Sequence, residues 1–230
     1  MQGEGLITEK AGRIMKKKNR RNLWISVSML TAFVMWTMAV RFLDVKSIGP
    51  KGSCVGFASV NALVHKLTGV HMVLYHITDW LGLVPIFVAL GFGLLGLIQW
   101  IKRKKLSKVD YSVWILGGFY VAVVTVYVLF ETVTVNYRPV LIDGILETSY
   151  PSSTTLLVMS VMPTAMMQFH SRIKNVTLRK WLSRIITAFV IFMVAGRVAS
   201  GVHWITDIVG GALLSAGLVM MYRYFVNLKE

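Results

Sequence analysis

The run LVPIFVALGFGLLGLIQW, residues 83–100, contains no Asp, Glu, Lys, Arg or His. A helix needs roughly 20 apolar residues to cross about 30 Å of hydrocarbon, and no soluble core needs an uninterrupted run of that kind. Working outward, the neighbouring stretch 111–130 is equally free of charge, and shorter or more mixed apolar blocks occupy 23–42, 155–169, 181–195 and 205–225. Hydrophobic residues make up 55% of the 230 positions and charged residues 15%, with the charges confined between the blocks. This pattern predicts an all-α, polytopic membrane helical bundle of about six transmembrane helices. The block at 23–42 follows Lys16, Lys17, Lys18, Arg20 and Arg21, as a signal sequence would. Its length, its Trp24 and Trp36, and the lack of a small-x-small cleavage site favour an uncleaved anchor.

The formal net charge of +15 raises the question of nucleic acid, and the placement of the charge answers it. Of the 25 Lys and Arg residues, 19 fall in the segments 1–22, 101–110, 170–184 and 223–230, all on one side of a six-span layout. The opposite connections carry only six. This asymmetry follows the positive-inside rule, so the termini are expected in the cytoplasm and the basic clusters against anionic head groups, with no nucleic-acid partner. The expected organisation is a basic cytoplasmic tail, 1–22, and a single membrane domain, 23–230, in a bacterial cell membrane. The lone Cys54 has no intramolecular disulfide partner and no metal-ligand spacing around it.

The longest connection, 43–82, places Phe57, Val60, Leu63, Val64 and Leu67 at helical spacing, predicting a short amphipathic helix against membrane or bundle. His65, His71, His76 and Asp79 lie in or after it, without the ordered ligand set a metal needs, so no metal or other cofactor is expected. Gly91, Gly93 and Gly96 read as close-packing positions between helices.

Three segments carry chemistry, and the layout gathers them on the face opposite the basic loops. In GRVASGVHWITDIVGG, residues 196–211, His203 and Asp207 are four apart and share a helix face. A carboxylate there can hold one imidazole nitrogen and leave the other as nucleophile or base. Arg197 adds a forked cation suited to phosphate oxygens. In NYRPVLIDG, residues 136–144, Arg138 precedes a helix-ending Pro139, on a face where Lys and Arg are otherwise scarce. In SYPSSTTLLV, residues 149–158, Ser and Thr before an apolar run predict a capped helix start whose free N–H groups suit an anion.

Together these segments resemble the phosphatidic acid phosphatase type 2 superfamily, which includes membrane lipid phosphatases and, sharing their core, vanadium haloperoxidases. Arg138-Pro139, Pro151-Ser152, Arg197, His203 and Asp207 match the family pattern in order and internal spacing, most specifically over 131–211. The resemblance implies that His203 attacks phosphorus and forms a phosphohistidine, with Asp207 orienting it. Arg138 and Arg197 would neutralise the phosphoryl oxygens, and the amides near Ser152 and Ser153 would add donors. Each of the three segments departs from the family pattern. Glu131 stands for its lysine, Ser153-Thr154 for its Gly-His, and Gly196 for the serine before the arginine. The absent histidine is the family's leaving-group acid, and a threonine hydroxyl cannot replace it near neutral pH. The expected activity is therefore hydrolysis of a lipid phosphate or pyrophosphate, for example an isoprenoid pyrophosphate, on the extracytoplasmic face. The alternative is a catalytically impaired member that binds lipid phosphate head groups or protein partners.

Overall fold

The computed structural model describes residues 2–229, and its long elements are all helices. In chain order these are α1 (Gln2–Phe42), α2 (Ala58–Thr68), α3 (Met72–Leu81), α4 (Leu83–Arg103), α5 (Tyr111–Thr132), α6 (Ser153–Arg172), α7 (Val176–Ser200) and α8 (Ile205–Val226). Among the described residues, five helical stretches are long and apolar enough to cross a membrane: Met15–Phe42, Met72–Arg103, Tyr111–Thr132, Val176–Ser200 and Ile205–Val226. The protein is an integral membrane protein.

Each of the six apolar blocks lies within one of the long helices, yet α6 is not among the five. The reason lies in its position. It packs against α4, α5, α7 and α8, and buries Thr154, Thr155, Ser160, Thr164 and Gln168 beside its apolar residues. A helix sheathed by other helices meets little lipid, so its composition is released from the lipid-facing demand for apolar side chains. Two of these polar side chains bond within the bundle. The Thr164 hydroxyl donates to the Ser160 carbonyl at 2.9 Å, and the Gln168 amide bonds the Tyr222 hydroxyl.

Side-chain bonds between distant helices define two ends. Asn19 bonds the Tyr224 carbonyl and Tyr111 that of Phe225, at the end shared with the basic 102–108 loop. At the other end Trp36 bonds the Thr206 carbonyl at 3.1 Å, and Asn61 bonds Thr206 Oγ1 at 3.0 Å. Helix α1 lies along α8, where Gly217 makes room for Leu30 and its carbonyl accepts from Ser26 at 2.7 Å. This helix runs unbroken from Gln2 to Phe42.

The amphipathic helix expected in 43–82 forms as α2. It turns Asn61 inward and leaves Val60, Leu63 and Leu67 exposed, which suits a helix lying at a membrane surface. Helix α3 then extends the next span upward, so that this span begins at Met72 rather than Leu83. The α2–α3 turn docks on the end of α7, where the His71 amide donates to the Ser200 carbonyl at 2.9 Å. Gly201 is obligatory there: its φ is +67°, and an added Cβ would lie 1.8 Å from the Gly69 carbonyl oxygen. Of the glycines read as packing positions, Gly96 faces Val113, whereas Gly91 and Gly93 meet nothing within 4 Å.

Candidate active site

The connection between α5 and α6 folds back as a hairpin. The Arg138 amide donates to the Glu147 carbonyl at 3.0 Å and the Ser149 amide to that of Asn136 at 3.0 Å, while the tip turns through Asp143 and Gly144, both with positive φ. This register holds Arg138 over the α7–α8 junction and sets Glu147 across from it. The junction itself is fixed by Asp207, whose carboxylate accepts from the Trp204 amide at 3.0 Å and so caps the first turn of α8. Its other oxygen accepts from Asn136 Nδ2 at 3.3 Å.

His203 lies between these two elements, 5% exposed. Its Nε2 is 3.2 Å from Arg138 Nη1, and its Nδ1 is 3.7 Å from Asp207 Oδ2. A guanidinium only donates, so Nε2 accepts and the ring proton resides on Nδ1, facing the carboxylate. That tautomer leaves the lone pair on Nε2. Burial, reinforced by the Arg138 and Arg197 cations, holds the imidazole well below its usual range, against a smaller opposing effect of a backbone hydrogen bond with Ser149.

Arg197 is almost fully buried. Its Nη2 pairs with Asp79 Oδ1 at 2.9 Å and also donates to the Thr154 hydroxyl, and its Nη1 reaches Thr78 Oγ1 at 3.4 Å. Tyr75 of α3 joins the two arginines: the Arg197 and Arg138 guanidinium carbons lie 5.0 and 5.8 Å from its ring centroid. Thus Arg138, Arg197, His203, Asp207 and Thr154 converge.

The remaining expected positions have other surroundings. Ser152 Oγ caps α6, accepting from the Thr155 hydroxyl at 3.1 Å, and its amide donates to the Asp207 carbonyl at 3.0 Å. Its polar groups therefore tie α6 to α8, leaving the next residue, Ser153, to line the cleft over His203. Glu131 stands at that cleft's rim and accepts from Thr148 Oγ1 at 3.1 Å. Gly196 has a steric cause: a Cβ there would lie 2.7 Å from the Thr78 methyl, where α3 crosses α7. The histidines of 65–76 scatter. His65 packs against Trp204, His71 Nε2 contacts the Thr68 carbonyl at 2.9 Å, and His76 lies beside Tyr75.

Comparison with known proteins bears on this same region. The family model described as the PAP2 superfamily matches residues 130–230, which hold all the site positions from Glu131 to Asp207. A solved structure, a transmembrane PAP2-type phosphatidylglycerolphosphate phosphatase from Bacillus subtilis, aligns with a TM-score of 0.60 at 17% identity. The alignment covers 90% of this chain and 98% of that one, so the shared fold includes the helices before residue 130. No curated protein matches by sequence.

Beside this cluster lies an apolar cavity of about 490 Å³ between α4, α5 and α6. Leu83, Ile86, Val123, Val124 and Leu157 form its length, and Asp79, Ser153 and Thr154 its polar head. Three participants escaped the sequence reading in these roles. Tyr75 and Asp79 are more than 110 residues from Arg197 in sequence, and Asn136 sits unremarked beside Arg138. For Tyr75 and Asp79 the one available signal was their spacing of four, which puts both on one face of a helix.

Proposed function

We propose that this protein is a membrane phosphatase that hydrolyses a lipid phosphate or pyrophosphate through a phosphohistidine on the extracytoplasmic face. One observation carries the reading: a buried His203 whose Nε2 lies 3.2 Å from Arg138 and whose Nδ1 faces Asp207, within a cluster holding two arginines. The apolar cavity ending at Ser153 and Thr154 supports a substrate with a hydrocarbon tail.

In this mechanism Nε2 of His203 attacks phosphorus as Arg138 moves from the imidazole to the phosphoryl oxygens. The P–N bond forms while the bond to the leaving oxygen breaks, and Asp207 stabilises the imidazolium that results. Water then attacks the phosphohistidine and returns the imidazole and free phosphate. Thr154 cannot protonate the leaving oxygen, and general acid catalysis is typically worth about 10²–10⁴-fold. A lipid pyrophosphate, whose leaving group is itself a phosphate, loses least by that. Phosphate release from lipid pyrophosphate and from lipid monophosphate by purified protein, beside His203→Ala, tests the reading. Release from pyrophosphate that vanishes in the variant is expected, and equal rates for the two proteins would refute it.

A second reading rests on the Arg197–Thr154 bond, which puts a cation's partner where the family keeps its acid. In that reading the protein binds lipid phosphate without turnover. Binding that survives His203→Ala, with no phosphate released by the wild type, would favour it.

A further inference from the structure

Both arginines of the cluster are already held by carboxylates of the same chain. Glu147 Oε2 lies 2.9 Å from Arg138 Nε, and Asp79 Oδ1 lies 2.9 Å from Arg197 Nη2. The two carboxylates come from unrelated elements, Glu147 from the hairpin and Asp79 from α3, and both bear electrostatically on Tyr75 between the arginines. They are also the solvent-facing partners. The Asp79 and Glu147 side chains are 54% and 39% exposed, against 1% and 10% for Arg197 and Arg138. Neither guanidinium is fully satisfied: Arg138 Nε, though 2.9 Å from Glu147, is not aligned for a hydrogen bond with it, and Arg197 Nε is buried with no acceptor beside the Nη2 that bonds Asp79. A buried cation that keeps an unpaired donor beneath an exposed carboxylate is one that a better-matched anion can take over.

We propose that Asp79 and Glu147 are tethered competitors for the phosphoryl site, which a phosphate group must displace from Arg197 and Arg138 before it binds. This deepens the proposed function and rests on reading the two arginines as the phosphoryl cradle. The consequence is selectivity by charge. A group presenting more anionic oxygens, such as a pyrophosphate, displaces both carboxylates more readily than a monophosphate does.

The test uses the full chain in bilayer discs of phosphatidylcholine, in a His203→Ala background, so that binding is read without turnover. The probes are inorganic phosphate and methylenediphosphonate, a pyrophosphate analogue that does not hydrolyse. Glu147→Gln should bind inorganic phosphate about tenfold more tightly, equivalent to the loss of one competing ion pair. It should also narrow the preference for methylenediphosphonate. Asp79→Asn removes the one carboxylate paired with Arg197 among the described residues. Its melting temperature should therefore rise more on adding phosphate than that of the parent. Should Asp79→Asn fail to fold, Glu147→Gln decides alone. Unchanged or weaker phosphate binding in Glu147→Gln overturns the proposal. When Arg138→Ala and Arg197→Ala abolish binding in that case, the cradle reading survives it. Phosphate binding that persists in both arginine variants overturns both.

Discussion

His203 is held neutral by burial and by two arginine cations, while in an unfolded chain it would titrate near its ordinary value of 6.5. On acidification the unfolded state takes up the proton first, so folding stability is favoured above about pH 6.5 and declines below it, toward the lower folded value. Each unit of that separation is worth about 1.4 kcal/mol. Between pH 7 and pH 5 the melting temperature of the wild type should therefore shift downward relative to that of His203→Gln. Thermal melts of both proteins across this range check the sign. Thr154 gives a second prediction at the same scale. Thr154→His restores a group able to protonate an alkoxide, so monophosphate hydrolysis should rise by at least tenfold and more than pyrophosphate hydrolysis. Phosphate-release rates on the two lipids measure the difference. The imidazole must reach the leaving oxygen past Arg197, whose Nη2 now bonds the threonine hydroxyl.

Among the elements, α3 explains most of what the sequence concealed. The motif segments 136–144, 149–158 and 196–211 each announced themselves by local spacing, because a hairpin arginine, a cap and an i, i+4 pair are short-range features. Helix α3 has no such signature, since its Tyr75, Thr78 and Asp79 matter only through where it crosses α7. Periodicity located the apolar block beginning at Leu83 but could not show that the span starts about three turns upstream, at Met72. That crossing also accounts for Gly196. Gly196→Ser restores the family residue yet forces a side chain against the Thr78 methyl, and overpacking of this kind costs about 1–3 kcal/mol. Thr78→Ser removes the methyl and keeps the hydroxyl that Arg197 contacts, so the double variant should recover most of the loss. Thermal unfolding of the two single variants and the double in detergent measures the coupling.

For the whole molecule, the arrangement of helices was legible where lipid imposes it and obscure where protein does. Blocks such as 83–100 and 111–130 face hydrocarbon and read plainly, and five of the long helical stretches satisfy the demand. The orientation proposed from the basic clusters has a built-in probe. Cys54 is exposed, is the only cysteine in the chain, and lies in the 43–57 connection at the site end. A membrane-impermeant maleimide should therefore label intact cells when the site faces outward, and Cys54→Ser should abolish the signal. Labelling only after lysis would reverse the orientation. Helix α6 has a consequence during synthesis. Its buried polar residues suit a sheath of four helices, but that sheath is incomplete when α6 leaves the ribosome, since α7 and α8 follow it in the chain. A chain truncated just after Arg172 should let this segment slip through to the extracytoplasmic side, and continuing the chain through Val226 should hold it in the membrane. The helix that anchors the cleft is thus the last to become a membrane helix.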